Sequence, residues 1–295
     1  MPNPISADDL LVLLEVARTG RLVAAARRLG VNHTTVSRRL AALERAVGAR
    51  VLVQERDGWA LTEVGQDVMR AAEDVEAALA RLAHPEGQEG LSGRVRVATP
   101  DGFGVHHAVP ALTELAQRHP GLDWELVTAT QRLRQARAGI DIEIVIGRPD
   151  VARASAIPIL RYELALYATP EYLAARGTPG TLDDLADHRL CYYIESALQV
   201  DQLDMATRGL PAPKGSLRST SVFVHVEATA RSGGIGILPR FLADDDERLV
   251  RVLPERYAYT LTYWAVVREE TMRNPAVLAV LDALRRVGRG TFDAG

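Results

Sequence analysis

Residues 32–45 place short hydroxyl side chains and arginines where they could contact nucleic acid. On a helix that turns by about 100° per residue, Thr34, Arg38 and Arg45 lie nearly opposite an apolar face, and Thr35 and Ser37 lie on its flanks. Such side chains reach base edges and phosphates from a helix in the major groove. We therefore expect contacts with DNA bases from Thr34, Thr35, Ser37 and Arg38. We expect contacts with the DNA backbone from Asn32, His33, Arg39, Arg45 and Arg56.

The distribution of charge favours a polyanion partner for the same segment. Residues 1–65 contain nine arginines and seven acidic residues, whereas residues 66–295 contain 26 basic and 31 acidic residues. The first segment therefore has a net charge of +2, and the second has −5. A basic segment on an acidic protein is typical of a nucleic-acid contact, although a solvated helix face is an alternative explanation for charge alone.

A second group of polar residues follows predicted strands in the C-terminal region. Small ligands of open α/β sheets bind beyond the carboxyl ends of strands, where helix N-termini present free amides. The expected ligand-binding residues are Thr99, Pro100, Asp101, Gly102, Phe103, Thr128, Thr130, Gly147, Arg148, Ser219 and Ser221. Ordinary caps and turns are the alternative for each of them.

The charge of such a ligand stays open. Asp101 could cap a helix, or it could select a cationic or polyhydroxy ligand, whereas Arg148 favours an anion.

Other chemistries have weaker support in the sequence. The pair His106–His107 lacks an acidic or cysteine partner at helical spacing, so a surface pair is expected rather than a metal site. Residues 233–236 form a helix stop, residues 244–247 form a solvated acidic turn, and Cys191 is a buried inert thiol. No hydrolase, metalloprotease or Walker motif is present, so we expect no enzyme activity, no metal and no cofactor.

The basic segment needs three helices and a hairpin to position its side chains. Ser6 and Asp9 form a capping signal for a first helix, and residues 21–30 form a short alanine-rich second helix. The third helix buries Val36, Leu40, Leu43 and Val47, and it ends at Gly48. The alternation around Asp57–Gly58 predicts a hairpin.

A longer helix follows, with Thr62 as its N-cap. Its apolar residues have a heptad rhythm, which predicts pairing with a second copy through Val64, Val68, Ala71, Val75, Ala78 and Leu82. The alternative is a helix packed on its own domain, which would need a neighbouring core. Residues 84–93 form a polar linker.

From residue 93 onward, short β-rich runs alternate with helical patterns. This order is typical of βαβ units with a parallel sheet, and the chain is long enough for two α/β lobes. No apolar run reaches the roughly 18 residues of a membrane span, and the N-terminus lacks the features of a secretory signal. We therefore expect a cytoplasmic protein.

The ordered helices, arginines and hairpin resemble the winged helix-turn-helix of LysR-type transcriptional regulators. The resemblance rests on Ala24–Ala26, Val36–Arg39, Leu43–Glu44 and Leu61–Thr62 with Gly65. In the C-terminal region it rests on RVRVATPDGFG, IEIVIGRP, YATPEYLAARGTP and ATARSGGIGILP. The sequence departs from the family pattern at Arg21–Leu22 and His33–Thr34.

The resemblance implies an α/β protein with an N-terminal winged helix-turn-helix, a linker helix and a two-lobed effector domain like type 2 periplasmic binding proteins. The implied boundaries are residues 1–62 for DNA binding, 63–90 for the dimerisation helix and hinge, and 91–295 for the effector domain, with lobe I at 91–163 and 268–295 and lobe II at 164–267. The chain then crosses between lobes near Glu163–Leu164 and Arg268. The implied partners are promoter DNA, a small-molecule effector, further copies in a homodimer or homotetramer, and RNA polymerase. A small-molecule binding protein without a regulatory role on DNA is the alternative.

Overall fold

The computed structural model describes residues 5–55, 58–83, 91–128, 139–151, 154–194, 200–269 and 271–289. Two compact units are present, one built mainly from residues up to Arg94 and the other from most of the chain after Val95. The first unit contains α1 (Ala7–Thr19), α2 (Leu22–Arg28), α3 (His33–Val47), β1 (Leu52–Glu55), β2 (Gly58–Leu61) and α4 (Glu63–Ala83).

Side chains cap the starts of α3 and α4, but not those of α1 and α2. The Ser6 side chain makes no capping hydrogen bond, although its carbonyl oxygen accepts from the amides of Asp9 and Leu10. The Thr62 hydroxyl accepts from the Gly65 amide at 3.0 Å, which confirms it as the cap of α4. The predicted hairpin forms, and its antiparallel strands β1 and β2 pair Leu52 with Leu61.

The core of the first unit lies between the three short helices and the start of α4. Leu13, Leu14, Val36 and Leu43 are fully buried, and Ala25 lets α2 approach closely because it has only a methyl side chain. Each large aliphatic side chain stabilises the fold by about 1.5–3 kcal/mol through burial. This core holds α3 with its opposite face outward.

The rest of the described chain forms a mixed α/β structure. Its strands are β3 (Ser92–Thr99), β4 (Gly121–Thr128), β5 (Ile142–Ile146), β6 (Ala154–Ala168), β7 (Arg189–Tyr193), β8 (Gly215–Ser219), β9 (Ile235–Pro239), β10 (Val250–Val252) and β11 (Tyr259–Arg268). Its helices are α5 (Asp101–Phe103), which continues through a π-helical turn (Gly104–Ala108) into α6 (Val109–Arg118), then α7 (Pro170–Arg176), α8 (Asp201–Thr207), α9 (Val222–Ala230), α10 (Arg240–Ala243) and α11 (Pro275–Val287), with 3-10 turns at Asp183–Asp187 and Thr271–Arg273.

Strands β3 to β11 form a nine-stranded sheet in the order β4-β3-β5-β11-β6-β9-β7-β8, with β10 beside β6. The pairs β3–β5, β7–β8 and β7–β9 are parallel, as the βαβ pattern predicts. The sheet as a whole is mixed, because β11 runs antiparallel to both β5 and β6.

Strands β6 and β11 belong to both lobes. Strand β6 begins to pair with β9 at Leu164, where the sequence places the outward crossing. The return differs from the prediction, because Arg268 lies opposite Ala154 at the far end of β11, and β11 already pairs with β5 from Tyr263 onward.

A β-bulge lies close to the return crossing. Tyr263 lies opposite Leu160 and Trp264 lies opposite Pro158, so Ile159 has no partner across the ladder. Gly288 packs on this bulge, where a Cβ atom would collide with the Ile159 carbonyl oxygen. A side chain larger than that of glycine would therefore push the end of α11 away from the sheet.

Candidate functional site

The start of α3 is held by Asn32. Its side-chain oxygen accepts from the Thr35 amide and from the Thr34 hydroxyl, both at 2.7 Å. This is an N-cap, and it orients the Thr34 side chain at the exposed end of the helix. Asn32 therefore has a structural role in addition to the contact with the DNA backbone that is expected from the sequence.

The predicted contact residues of α3 share one exposed surface. His33, Thr34, Ser37, Arg38 and Arg45 are exposed and Thr35 is half-buried, whereas the apolar face on the other side is buried. The Ser37 hydroxyl donates to the His33 carbonyl, and Arg45 Nε donates to the Ala41 carbonyl, both at 3.1 Å. The surface thus presents hydroxyls and guanidinium groups on a rigid helix.

One of the predicted arginines, Arg39, differs from the exposed residues of this surface. Arg39 Nη1 lies 2.8 Å from a carboxylate oxygen of Asp8, so its charge is already paired within the unit. Arg56 lies outside the described residues. Arg50, just beyond α3, is not among the predicted contact residues. Its side chain is 80% exposed, and Nη1 lies 3.4 Å from a carboxylate oxygen of Glu44. Its place as the next basic residue after the helix could have indicated it.

Helix α4 is fixed to the first unit by an ion pair and by apolar packing. Both terminal nitrogens of Arg18 donate to the Glu76 carboxylate, at 2.7 and 2.6 Å. Met69 and Ala72 are buried in the core of this unit. The expectation that α4 lacks a neighbouring core is therefore wrong for this part of the helix.

The predicted dimerisation residues divide between two environments. Val68 and Val75 pack partly against the core of their own unit, whereas Val64 and Ala71 are exposed and Ala78 is half-buried. The side chain of Leu82 lies outside the described residues. Leu79, which the heptad assignment missed, is 42% exposed.

Asp101 brings together residues from both lobes of the second unit. One carboxylate oxygen accepts from the Gly102 amide at 2.9 Å, and the other accepts from the Ser221 hydroxyl at 2.6 Å. The Ser221 amide donates in turn to the Ser219 hydroxyl oxygen at 3.1 Å. Four predicted ligand-binding residues are thus neighbours where β3 and β8 end.

Thr99, Pro100 and Phe103 lie close to this group and are buried. The Thr99 hydroxyl donates to the Pro100 carbonyl at 3.1 Å, and the Phe103 ring packs 4.9 Å from that of Tyr263. Through these contacts Thr99, Pro100 and Phe103 stabilise the start of α5.

The remaining predicted residues have other surroundings. Gly147 has φ +80°, and Gln202 packs where its side chain would be. The exposed Arg148 guanidinium lies 5.6 Å from the centre of the Trp264 ring. Thr128 is exposed, and Thr130 lies outside the described residues.

Buried aromatic residues around Asp101 were missed from the sequence. The rings of Tyr162 and Tyr263 stack at 4.5 Å, and Tyr193 meets His225 edge to face at 4.5 Å. Burial raises the pKa of Tyr162 and of Tyr193 well above the usual value, so these hydroxyls stay protonated. The strict alternation of β11 could have indicated Tyr263 as inward-facing.

His225 is fully buried on α9. Burial lowers its pKa to about 4, although the nearby Asp101 charge and the Ser219 carbonyl act in the opposite direction. Nε2 lies 3.1 Å from the Ser219 carbonyl oxygen, which requires a proton on Nε2 in the neutral ring. Nδ1 is then a buried acceptor, and it has no hydrogen-bond partner among the residues that the structure describes.

The expected surface pair of histidines is half correct. His106 is exposed, but His107 is half-buried between Phe103 and Phe241, with ring centres 5.5 and 4.6 Å away. Burial, and then the nearby His106, lower the pKa of His107 to about 4. The acidic run is tied to arginines, because Asp244 pairs with Arg240.

In the described part of the chain, no helix is both long and apolar enough to cross a bilayer. The same residues contain no group of three or more His, Cys, Asp or Glu side chains that could hold a metal ion.

Two family models together match most of the sequence. Residues 7–66 match the bacterial regulatory helix-turn-helix protein model of the lysR family, and residues 88–289 match the LysR substrate binding domain. The chain belongs to the LysR family. It is a transcriptional regulator with a helix-turn-helix DNA-binding domain and an effector-binding domain, and it is not an enzyme. The alternative of a binding protein without a regulatory role on DNA is therefore set aside.

Curated relatives agree with this family. The HTH-type transcriptional activator TtdR of Escherichia coli K12 is 32% identical over 286 residues, which cover 91% of this chain and 89% of TtdR. The HTH-type transcriptional regulator CrgA of Neisseria meningitidis serogroup C is 26% identical and covers 84% of each chain.

Solved structures share the fold along nearly the full length. ArgP from Mycobacterium tuberculosis has a TM-score of 0.71 at 17% identity and covers 96% of this chain and 97% of its own. LysG from Corynebacterium glutamicum, solved with bound effector Arg, has a TM-score of 0.65 at 20% identity and covers 96% and 98%. LysR regulators bind DNA and small-molecule effectors and form oligomers.

Proposed function

We propose that α3 of this LysR-family regulator reads promoter DNA from the major groove. The residues that contact DNA bases are Thr34, Thr35, Ser37 and Arg38. The residues near the DNA backbone are Asn32, His33, Arg39, Arg45 and Arg56. The observation that carries this assignment is the exposed hydroxyl and arginine surface on the side of α3 opposite its buried face. Short hydroxyls and arginine suit direct readout, because they reach base edges from a helix.

The functional form is a homodimer or homotetramer that binds an interrupted dyad. One winged module makes few contacts, so two modules held together gain affinity and a fixed spacing of half-sites. The exposed side chains Val64, Ala71 and Leu79 support pairing along α4. RNA polymerase is a further partner in this proposal, and the protein works in the cytoplasm, where bacterial promoters are.

The second unit binds a small-molecule effector between its two lobes. The contacts among Asp101, Gly102, Ser219 and Ser221 support this position, since they lie where strands end and helices begin. We assign residues 1–62 to DNA binding, 63–90 to the linker and 91–295 to effector binding, with the return crossing between lobes at Tyr263. An effector shifts the protein between states by binding one lobe arrangement more tightly than the other.

A fluorescence-anisotropy titration tests the DNA-binding assignment. The full chain is titrated onto DNA from the region upstream of its own gene, with scrambled competitor DNA and over a series of salt concentrations. We expect sequence-selective binding that weakens steeply with salt, because phosphate contacts release counterions. Weak binding that does not distinguish the two DNAs would contradict the assignment for that region, and the same titration on randomised DNA pools would then decide the general case.

A further inference from the structure

Asp101 is a carboxylate placed between two lobes without a cationic partner. Its two oxygens accept from the Gly102 amide and the Ser221 hydroxyl. Gly102 lies in the first turn of α5, and Ser221 directly precedes α9. No lysine, arginine or histidine of the described chain forms an ion pair with it. The starts of α5 and α9 could bind an anionic group of a ligand. The negative charge of Asp101 already occupies that position.

Two tyrosine rings and a histidine lie close to the residues that contact Asp101. His225 Nε2 donates to the carbonyl of Ser219, and the Tyr193 ring meets the His225 ring edge to face. The Tyr263 ring packs on Phe103, two residues after Asp101. His225 is neutral near pH 7, and no donor in the described part of the chain reaches its buried acceptor Nδ1. An electron-rich environment of this kind favours a ligand that brings N–H donors and positive charge.

We propose that Asp101 makes the interlobe site of this regulator selective for an organic ammonium compound. This inference rests on the proposed effector site and names its ligand class. An ammonium group forms a charge-assisted hydrogen bond with the carboxylate and lies against the tyrosine rings. A carboxylate ligand would instead meet a like charge within the site, which is strongly unfavourable away from water.

The Ser221 hydroxyl competes with the ligand for the same carboxylate. In the structure this hydroxyl is 2.6 Å from Asp101 and joins the two lobes directly. When an ammonium group replaces the Ser221 hydroxyl, the hydrogen bond between the lobes is lost. A hydrogen bond between Asp101 and the effector forms instead. Ligand binding is thereby coupled to the arrangement of the lobes.

The test uses matched probe pairs of the same shape and opposite charge. Benzylamine and benzoate form one pair, and 1,4-diaminobutane and succinate form another, each at millimolar concentration with the full-length protein. We expect the two amines, and not the two acids, to raise the unfolding temperature of the second unit, because a ligand stabilises the state it binds. Titrations of the same amines give their affinities.

Asp101→Asn keeps the size of the side chain and an oxygen that can accept from the Gly102 amide, but it removes the charge. We expect amine affinity to fall about tenfold or more, since the replaced hydrogen bond is charge-assisted. The matched control is Asp183→Asn on the exposed 3-10 turn, which changes the net charge equally and should leave amine affinity unchanged. Ser221→Ala keeps the carboxylate and should bind amines at least as tightly as the unaltered protein.

Three results would overturn the proposal. These are stabilisation by the acids, absence of stabilisation by either amine, and equal amine affinity in Asp101→Asn and the unaltered protein. The same preparations are titrated with DNA. Selective DNA binding together with any of the three results rejects only the ammonium assignment, whereas loss of selective DNA binding by the unaltered protein rejects the proposed function itself.

Discussion

Neighbouring arginines on α3 have different environments. Arg38 is exposed on the proposed contact surface, whereas Arg39 is paired with Asp8 of α1. Helical angles alone predict the outward direction of Arg38 correctly. They could not show the Arg39 pairing, because it depends on how α1 packs across α3.

Arg38→Ala should weaken binding to the selected DNA by about 1–3 kcal/mol, because a guanidinium contact in the major groove is lost. Arg39→Ala should weaken it less, since this arginine is already paired. Anisotropy titrations at one salt concentration measure both, with Arg176→Ala at the exposed end of α7 as a control. If Arg38→Ala and Arg39→Ala weakened DNA binding equally, this assignment of the contact surface of α3 would be contradicted.

At the scale of single elements, α4 combines two packing roles. Its start and its Thr62 cap agree with the prediction from sequence. Its heptad rhythm, however, supplies Val68 and Val75 to the core of its own unit, and Arg18 holds Glu76 on the same side. A periodic apolar pattern shows that a face is buried, but it cannot show whether the neighbour is the same chain or another copy.

Leu79→Asp should shift the protein from dimer to monomer while the first unit stays folded. The reason is that a carboxylate in a helix-helix interface loses its hydration. Val75→Asp should in addition lower the free energy of unfolding by about 1–3 kcal/mol, because Val75 packs on the core. Sedimentation velocity and urea unfolding measure the two effects. A Leu79→Asp protein that sediments as the unaltered protein does would exclude this face from the dimer contact.

At the scale of the whole molecule, the sequence predicts the order of elements better than their pairing. Local patterns predict the winged helix-turn-helix, the α/β alternation and the closing helix α11. The antiparallel course of β11 and its bulge depend on pairing with β6, about a hundred residues earlier in the chain. The same distance in sequence explains why the tyrosines around Asp101 were missed, although Asp101 and Ser221 themselves were predicted from local strand ends.

The buried His225 should make the stability of the second unit depend on pH. Its pKa is lowered from 6.5 to about 4, so the unfolded chain binds a proton first as the pH falls through this range. Unfolding therefore becomes easier on acidification, by about 1.4 kcal/mol per pH unit for this residue, and its contribution is fully present above about pH 6.5.

Urea unfolding at about pH 7 and about pH 5 measures the effect. The unaltered protein should lose about 2 kcal/mol more than His225→Gln, in which an amide can still donate to the Ser219 carbonyl. His33→Gln on the exposed surface of α3 is the control. Equal losses in the unaltered protein and His225→Gln would show that this histidine does not stay neutral in the folded state.

The two lobes are joined by a paired ribbon of β6 and β11 rather than by single-stranded loops. Such a ribbon resists stretching and bending within the sheet, because its ladder of hydrogen bonds would break, but it can twist with the ladder intact. We therefore expect a change in the angle between the lobes to twist this ribbon and to leave its hydrogen bonds in place. Twist is then the coordinate along which we expect an effector to change the arrangement of the lobes.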